Sequence, residues 1–264
     1  MTKGAYTASL NAGLGLIDET LALLELWHEG MDTPALTRVA VQSGRFPSMS
    51  ARRIENMVSD GFAIRYLVNG AVPARLVKAL TDRLTRRELE QVMFLYTCRA
   101  NSILADFIRQ VYWPAYGAGR STLDNEEART FVIRANQAGK TTVPWSESTT
   151  KRVAGYLTGC CADFGLLERG QRKERRILPF RIEPRVAALL AYDLHFAGLG
   201  DNSLLSDQDW ALFGLDTVDA LSELRRLSLR GLMIVQTAGT VTRIGWQYKT
   251  IDEVTDAITQ SELR

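Results

Sequence analysis

Nearly every stretch of this chain repeats one pattern. Apolar side chains recur three and four residues apart until a glycine or a proline cuts the run. Over 14–28, Leu14, Ile17, Leu21, Leu24 and Trp27 share one helical face, Asp18, Glu19 and Glu25 fall between them, and Gly30 ends the run. Thr33-Pro34 caps and starts a second helix, with proline at its first position, and Gly44 stops it. After the break at Phe46-Pro47, Ser48 or Ser50 caps a third helix, and Gly61 closes it. A chain punctuated this way folds as many short helices with tight connections. The reading is mainly α: a helix-turn-helix N-terminal region, a helical middle, and one or two winged-helix modules with short β-hairpins.

The middle and C-terminal segments supply those modules. Helices are expected over 73–84 and 85–112, with Trp113-Pro114 ending the second and a linker at 116–119. A helix follows over 123–137, then a loop holding Lys140, then a helix over 147–164 capped by Ser146. The segment 166–178 has apolar ends, a glycine and a charged tip, which reads as a hairpin. The same order returns with helices over 184–196, 206–212 and 216–229. Two β-rich runs, 233–237 and 240–246, come next, then a helix over 251–259 capped at Thr250. Three domains are expected: 1–116, 120–185 and 186–264.

Charge is segregated along this frame. Residues 71–185 carry 20 basic and 12 acidic side chains, whereas 186–264 carry 6 and 11, so a formal net charge of only +2 hides a basic centre. The densest run holds Arg169, Arg172, Lys173, Arg175, Arg176, Arg181 and Arg185 against Glu174 and Glu183. A wing tip of this charge suits a phosphate backbone, where each cation releases counterions. Lys140, Lys151 and Arg152 fall on the loop and first turns of the adjoining helix, as in a groove-entering helix. Arg52 and Arg53 sit near the start of the third helix. The expected DNA-binding residues are therefore Arg52, Arg53, Lys140, Lys151, Arg152, Arg172, Lys173, Arg175 and Arg176. A solvated loop that only keeps the chain soluble is the simpler alternative.

Little points to catalysis. The sequence has two His and three Cys, no P-loop, no G-x-G-x-x-G after a strand and no H-E-x-x-H. No C-x-x-C pair offers a zinc site, so Cys98, Cys160 and Cys161 read as buried thiols in a reducing compartment. Asp207, Asp209 and Asp216 could form a metal cluster but fit helix starts more simply. No cofactor and no metal are expected. With no signal peptide and no apolar run long enough to span a bilayer, a cytoplasmic location is expected.

Several short segments also carry a family likeness. Tyr6-Thr7-Ala8-Ser9-Leu10 leads into Asp18-Glu19, followed by Arg52-Arg53 and by Leu104-Ala105-Asp106-Phe107. Trp145-Ser146, the run from Asp209 through Trp210 to Leu215, and Ile244-Gly245-Trp246-Gln247-Tyr248 complete the set. In order and spacing, over 6–258, the chain resembles the BrxA family of bacterial BREX bacteriophage-exclusion systems. The resemblance implies a mostly helical, non-enzymatic, double-stranded DNA-binding accessory factor of phage defence. It also implies partners among other BREX proteins, which include a methyltransferase, an ATPase and a phosphatase-like protein. It carries over no catalytic residue. An assembly adaptor that binds partner proteins, favoured by the acidic C-terminal segment, and a winged-helix transcription regulator are the alternatives. Oligomeric state is open.

Overall fold

Local caps and special backbone conformations decide where the helices begin. The computed structural model describes residues 6–8, 15–170, 173–239 and 241–260. Helix α1 (Ile17–Leu26) is shorter than its apolar pattern because Leu16 takes a left-handed conformation, φ 50°. Helix α2 (Thr33–Gln42) starts from Asp32 rather than Thr33: the Asp32 carboxylate accepts the Ala35 N–H at 2.8 Å. Helix α3 (Ala51–Asn56) starts from Ser50, whose hydroxyl accepts the Arg53 N–H at 3.3 Å. It does not stop at Gly61. A wider π turn, Met57–Ala63, carries it into α4 (Ile64–Tyr66), and Gly61 never takes the left-handed conformation that a glycine C-cap uses.

A short 3₁₀ turn, Asn69–Ala71, leads into α5 (Val72–Leu80), and α6 (Arg86–Ala100) follows. The single helix expected over 85–112 is broken at Asn101, with φ −131° and ψ 89°. There the Asn101 side-chain amide donates to the Thr97 carbonyl at 2.9 Å, competing with the backbone ladder. Helix α7 (Ser102–Phe107) follows, then a π turn, Ile108–Tyr112, and α8 (Trp113–Gly117). Trp113-Pro114 therefore does not end the helix. Proline sits in the first turn of α8, where a missing N–H costs least.

By backbone contacts the chain divides into two units, Met1–Lys78 with Met93–Phe180, and Ala79–Val92 with Arg181–Arg264. The first takes in most of the expected 1–116 and 120–185 segments. Its distal part runs β1 (Thr122–Asp124), α9 (Asn125–Gln137), α10 (Glu147–Asp163) and β2 (Glu174–Arg176). Strands β1 and β2 are antiparallel, with Thr122 opposite Arg176 and Asp124 opposite Glu174. On its other side β2 meets 166–168: Glu168 N–H donates to the Arg176 carbonyl and Leu178 N–H to the Leu166 carbonyl, both at 2.9 Å. The expected hairpin is thus present in its arms, but its strand also pairs with a residue run that the sequence reading placed at a helix start. Asp124 ends β1 and caps α9 in a reciprocal box with Glu127. Phe94 packs on Phe164 and Phe180 at ring distances of 5.5 and 5.9 Å, and Phe107 on Phe131 at 5.6 Å.

The second unit contains α11 (Pro184–Phe196), α12 (Asp201–Leu205), a 3₁₀ turn Trp210–Phe213 and α13 (Thr217–Ser228). A hairpin of β3 (Met233–Ala238) and β4 (Val241–Trp246) follows, then α14 (Ile251–Gln260). The helix expected over 206–212 is instead α12 plus the 3₁₀ turn. The outer edge of β4 is closed by side chains of α12: Thr242 N–H donates to Asn202 at 3.1 Å and Ile244 N–H to Asp201 at 2.8 Å. Tyr192 and Trp246 meet edge to face at 4.8 Å at the base of this hairpin. The protein is mainly α with short β-hairpins.

Candidate nucleic-acid interface

Helix α10 presents Lys151, Arg152 and Gly155 to solvent while Val153, Ala154, Leu157 and Thr158 are buried. The chain entering β2 is held against the later turns of α10 by two linked contacts. Asn125 N–H donates to the Lys173 carbonyl at 3.0 Å, and the Thr158 hydroxyl donates to the Asn125 side-chain oxygen at 2.7 Å. The result is a groove of about 490 Å³ lined by Asn125, Glu126, Arg129, Lys151, Lys173 and Arg175, with Ala154, Gly155 and Thr158 on the helix side. Four cations face one carboxylate there. Strand alternation puts Arg175 partly inside, with its guanidinium donating to the Glu168 carbonyl at 3.1 Å, and leaves Arg176 exposed.

The nine expected contact residues do not all meet. Lys151, Lys173 and Arg175 line the groove; Arg152 is exposed beside Lys151 on α10, and Arg176 is exposed on the strand. Arg172 lies outside the described residues. Lys140 belongs elsewhere: its carbonyl accepts the Tyr6 N–H at 2.7 Å, and it lines a different hollow of about 550 Å³ with Asp124, Glu127 and Arg134. Arg52 and Arg53 are exposed on the first turn of α3 and line neither hollow.

The basic run 169–185 is not one surface either. Arg169 donates to the Asp163 carbonyl at 3.2 Å. Arg181 pairs with Glu223 and Arg185 with Glu88, both in the second unit. Sequence adjacency had joined cations that non-local carboxylates separate.

Two groove residues escaped the sequence reading. Arg129 sits between Glu126 at 3.3 Å and Glu147 at 2.9 Å, and the Nε of Arg129 and of Arg175 have no acceptor among the described residues. Gly155 is a mid-helix glycine, and a Cβ built on it meets nothing within 4 Å. Packing therefore does not require glycine there. A bare helix face lets a ligand approach the backbone closely, and a glycine inside a helical pattern was the available signal.

Electrostatics elsewhere favour structure over reactivity. Burial pushes the Cys160 thiol up to about 12 and raises Cys161 well above its ordinary value, so neither is a ready thiolate. All three cysteines are buried and none is in a disulfide among the described residues. His195 stacks on Trp246 at 4.2 Å, and burial lowers its pKa despite nearby Asp201. Among the described residues no helix is long and apolar enough to cross a membrane.

The family model described as BrxA matches residues 4–193. The chain belongs to the BrxA family. That membership associates it with BREX phage defence. The BrxA match takes in the α10 groove and ends within α11, so most of the second unit lies beyond it. No curated protein matches the chain. A crystal structure of an uncharacterized protein from Magnetospirillum magneticum is similar at a TM-score of 0.58 and 16% identity, covering 73% of this chain and 95% of that one. At that identity the likeness speaks for the fold alone.

Proposed function

We propose that this BrxA-family chain is a double-stranded DNA-binding accessory protein of phage defence, without catalytic activity of its own. In this reading the 120–185 segment is a winged-helix module. Helix α10 faces the duplex groove, and the 173–176 strand tracks the adjoining phosphates. One observation carries it: Lys151 on the helix and Lys173 and Arg175 on the wing, more than twenty residues away in sequence, line one open groove. Cations on two rigid elements at a fixed separation suit a repeating line of phosphates better than a mobile tail would. Arg52 and Arg53 on α3 supply a second, weaker contact.

The test is fluorescence anisotropy of the purified chain on a labelled random duplex across a potassium chloride series, with duplex or RNA competitor. Affinity that falls steeply with salt and yields to duplex competitor supports the reading. Absence of binding at low salt sinks it.

An adaptor reading is favoured by a separate observation. In the second unit Val218, Leu229, Ile234 and Val241 are large apolar side chains left exposed. Co-purification of other BREX proteins with the chain, lost when Leu229 and Ile234 are made polar, would establish that role alongside or instead of DNA binding.

A further inference from the structure

The second unit contains an arginine-lined groove that the proposed DNA contact does not use. Arg87, Arg181, Arg226 and Arg230 line a hollow of about 390 Å³ with Glu183 and Glu223, over an apolar floor of Ile182, Pro184 and Leu227. Its cations come from three separate stretches: α6, the approach to α11, and α13 with the turn after it.

The groove is built rather than incidental. Gln91, only 2% exposed, uses both ends of its amide to clamp the segment that carries two of the charges: it donates to the Arg181 carbonyl at 2.7 Å and accepts from Glu183 N–H at 2.8 Å. The Glu223 side chain, 12% exposed, accepts from Arg181 at 3.2 Å and Arg226 at 2.5 Å through the same oxygen. Those two arginines are themselves 67% and 56% exposed. Glu183 takes Arg87 at 2.8 Å. Each carboxylate is thus already engaged, and Arg181 and Arg226, which share the single Glu223 carboxylate, exceed it by one positive charge. A guanidinium has five N–H donors in a fixed fork, so Arg181 and Arg226 keep outward donors after bonding Glu223.

We propose that this groove binds a phosphate group. Two guanidinium forks that are pre-oriented by one largely covered carboxylate and keep an excess positive charge suit a phosphate monoester, an anion with three acceptor oxygens. The apolar floor accommodates the organic body that bears it, and the volume lies in the range of small-molecule sites. The phosphate belongs either to a free nucleotide or to a nucleic-acid backbone, and the test separates these sources.

The full chain is titrated calorimetrically at constant ionic strength with inorganic phosphate, a nucleoside monophosphate and a short duplex, each against chloride. Saturable binding of phosphate and nucleotide is expected. It should weaken at least about tenfold in Arg226→Ala, the scale of losing one charge-assisted hydrogen bond. Arg38→Ala, exposed on α2 and outside both grooves, should leave it unchanged. Arg181→Lys with Arg226→Lys keeps the charges but removes the forks, so it loses affinity even if the alanine variant folds poorly. Displacement of the nucleotide by duplex assigns the site to nucleic-acid backbone; no displacement assigns it to free nucleotides. Failure of wild-type protein to bind phosphate or nucleotide above the chloride background, or equal binding by the lysine pair, overturns the proposal.

Discussion

Replacing Lys151 and Lys173 together by alanine isolates the proposed DNA contact. Both are exposed, and neither makes an ion pair among the described residues, so the double variant should fold with stability within about 0.5 kcal/mol of wild type. Each phosphate contact contributes about 0.9 to the slope of log affinity against log salt. With one contact per lysine, the double variant should flatten the slope by about 1.8. The assay is duplex anisotropy over a salt series, with a thermal melt of each protein as the folding control. A wild-type slope retained in the variant would show that these lysines do not meet phosphate, whatever the change in affinity. A flattened slope accompanied by a lower melting temperature would point instead to indirect damage, and a single Lys151→Gln variant would then decide.

Three further outcomes follow from particular residues. Gly155→Ala should raise helix stability by up to about 1 kcal/mol while weakening duplex binding, because the added methyl meets open space in the protein but crowds the approach to α10; a melt and an anisotropy titration on one preparation check both signs. Gly15→Ala should destabilise by about 1–3 kcal/mol, since its Cβ would lie 2.8 Å from Asp163 Cβ, and a urea titration that finds no loss would refute the close fit. The Arg120 hydrogen bonds hold the Glu127 carboxyl below its ordinary range, against the opposing effect of burial. A depressed carboxylate stabilises above its unfolded value, about 4.3, and loses that contribution as pH falls through the lower folded value. The deficit of Glu127→Gln should therefore be present at neutral pH and shrink in acid; urea midpoints at both pH values measure it.

Features governed by neighbouring residues were legible in the sequence. Ser50, Ser146 and Asp216 cap α3, α10 and α13, and the Thr250 hydroxyl accepts the Glu253 N–H at the start of α14. The β3–β4 hairpin forms from the two expected apolar runs, with its connection one residue later than the expected Ala238-Gly239 turn because Ala238 pairs with Val241. The misplaced boundaries are those where an ordinary signal met an unusual backbone. Gly61 and Pro114 are breakers in isolation, yet Gly61 lies within one π turn and Pro114 just after another, and the helix continues through both.

The candidate site was legible as composition and not as a surface. Sequence alone determined a mainly helical chain with a basic centre, because helix periodicity and caps depend on residues within about four positions of one another. Tertiary structure decided which cations share a face. It paired β1 with β2 across some fifty residues, which brought Lys173 into one groove with Lys151, and it took Arg181 and Arg185 away from that groove by giving them Glu223 and Glu88. Electrostatic partnership falls off with distance in space, and distance along the chain does not report it.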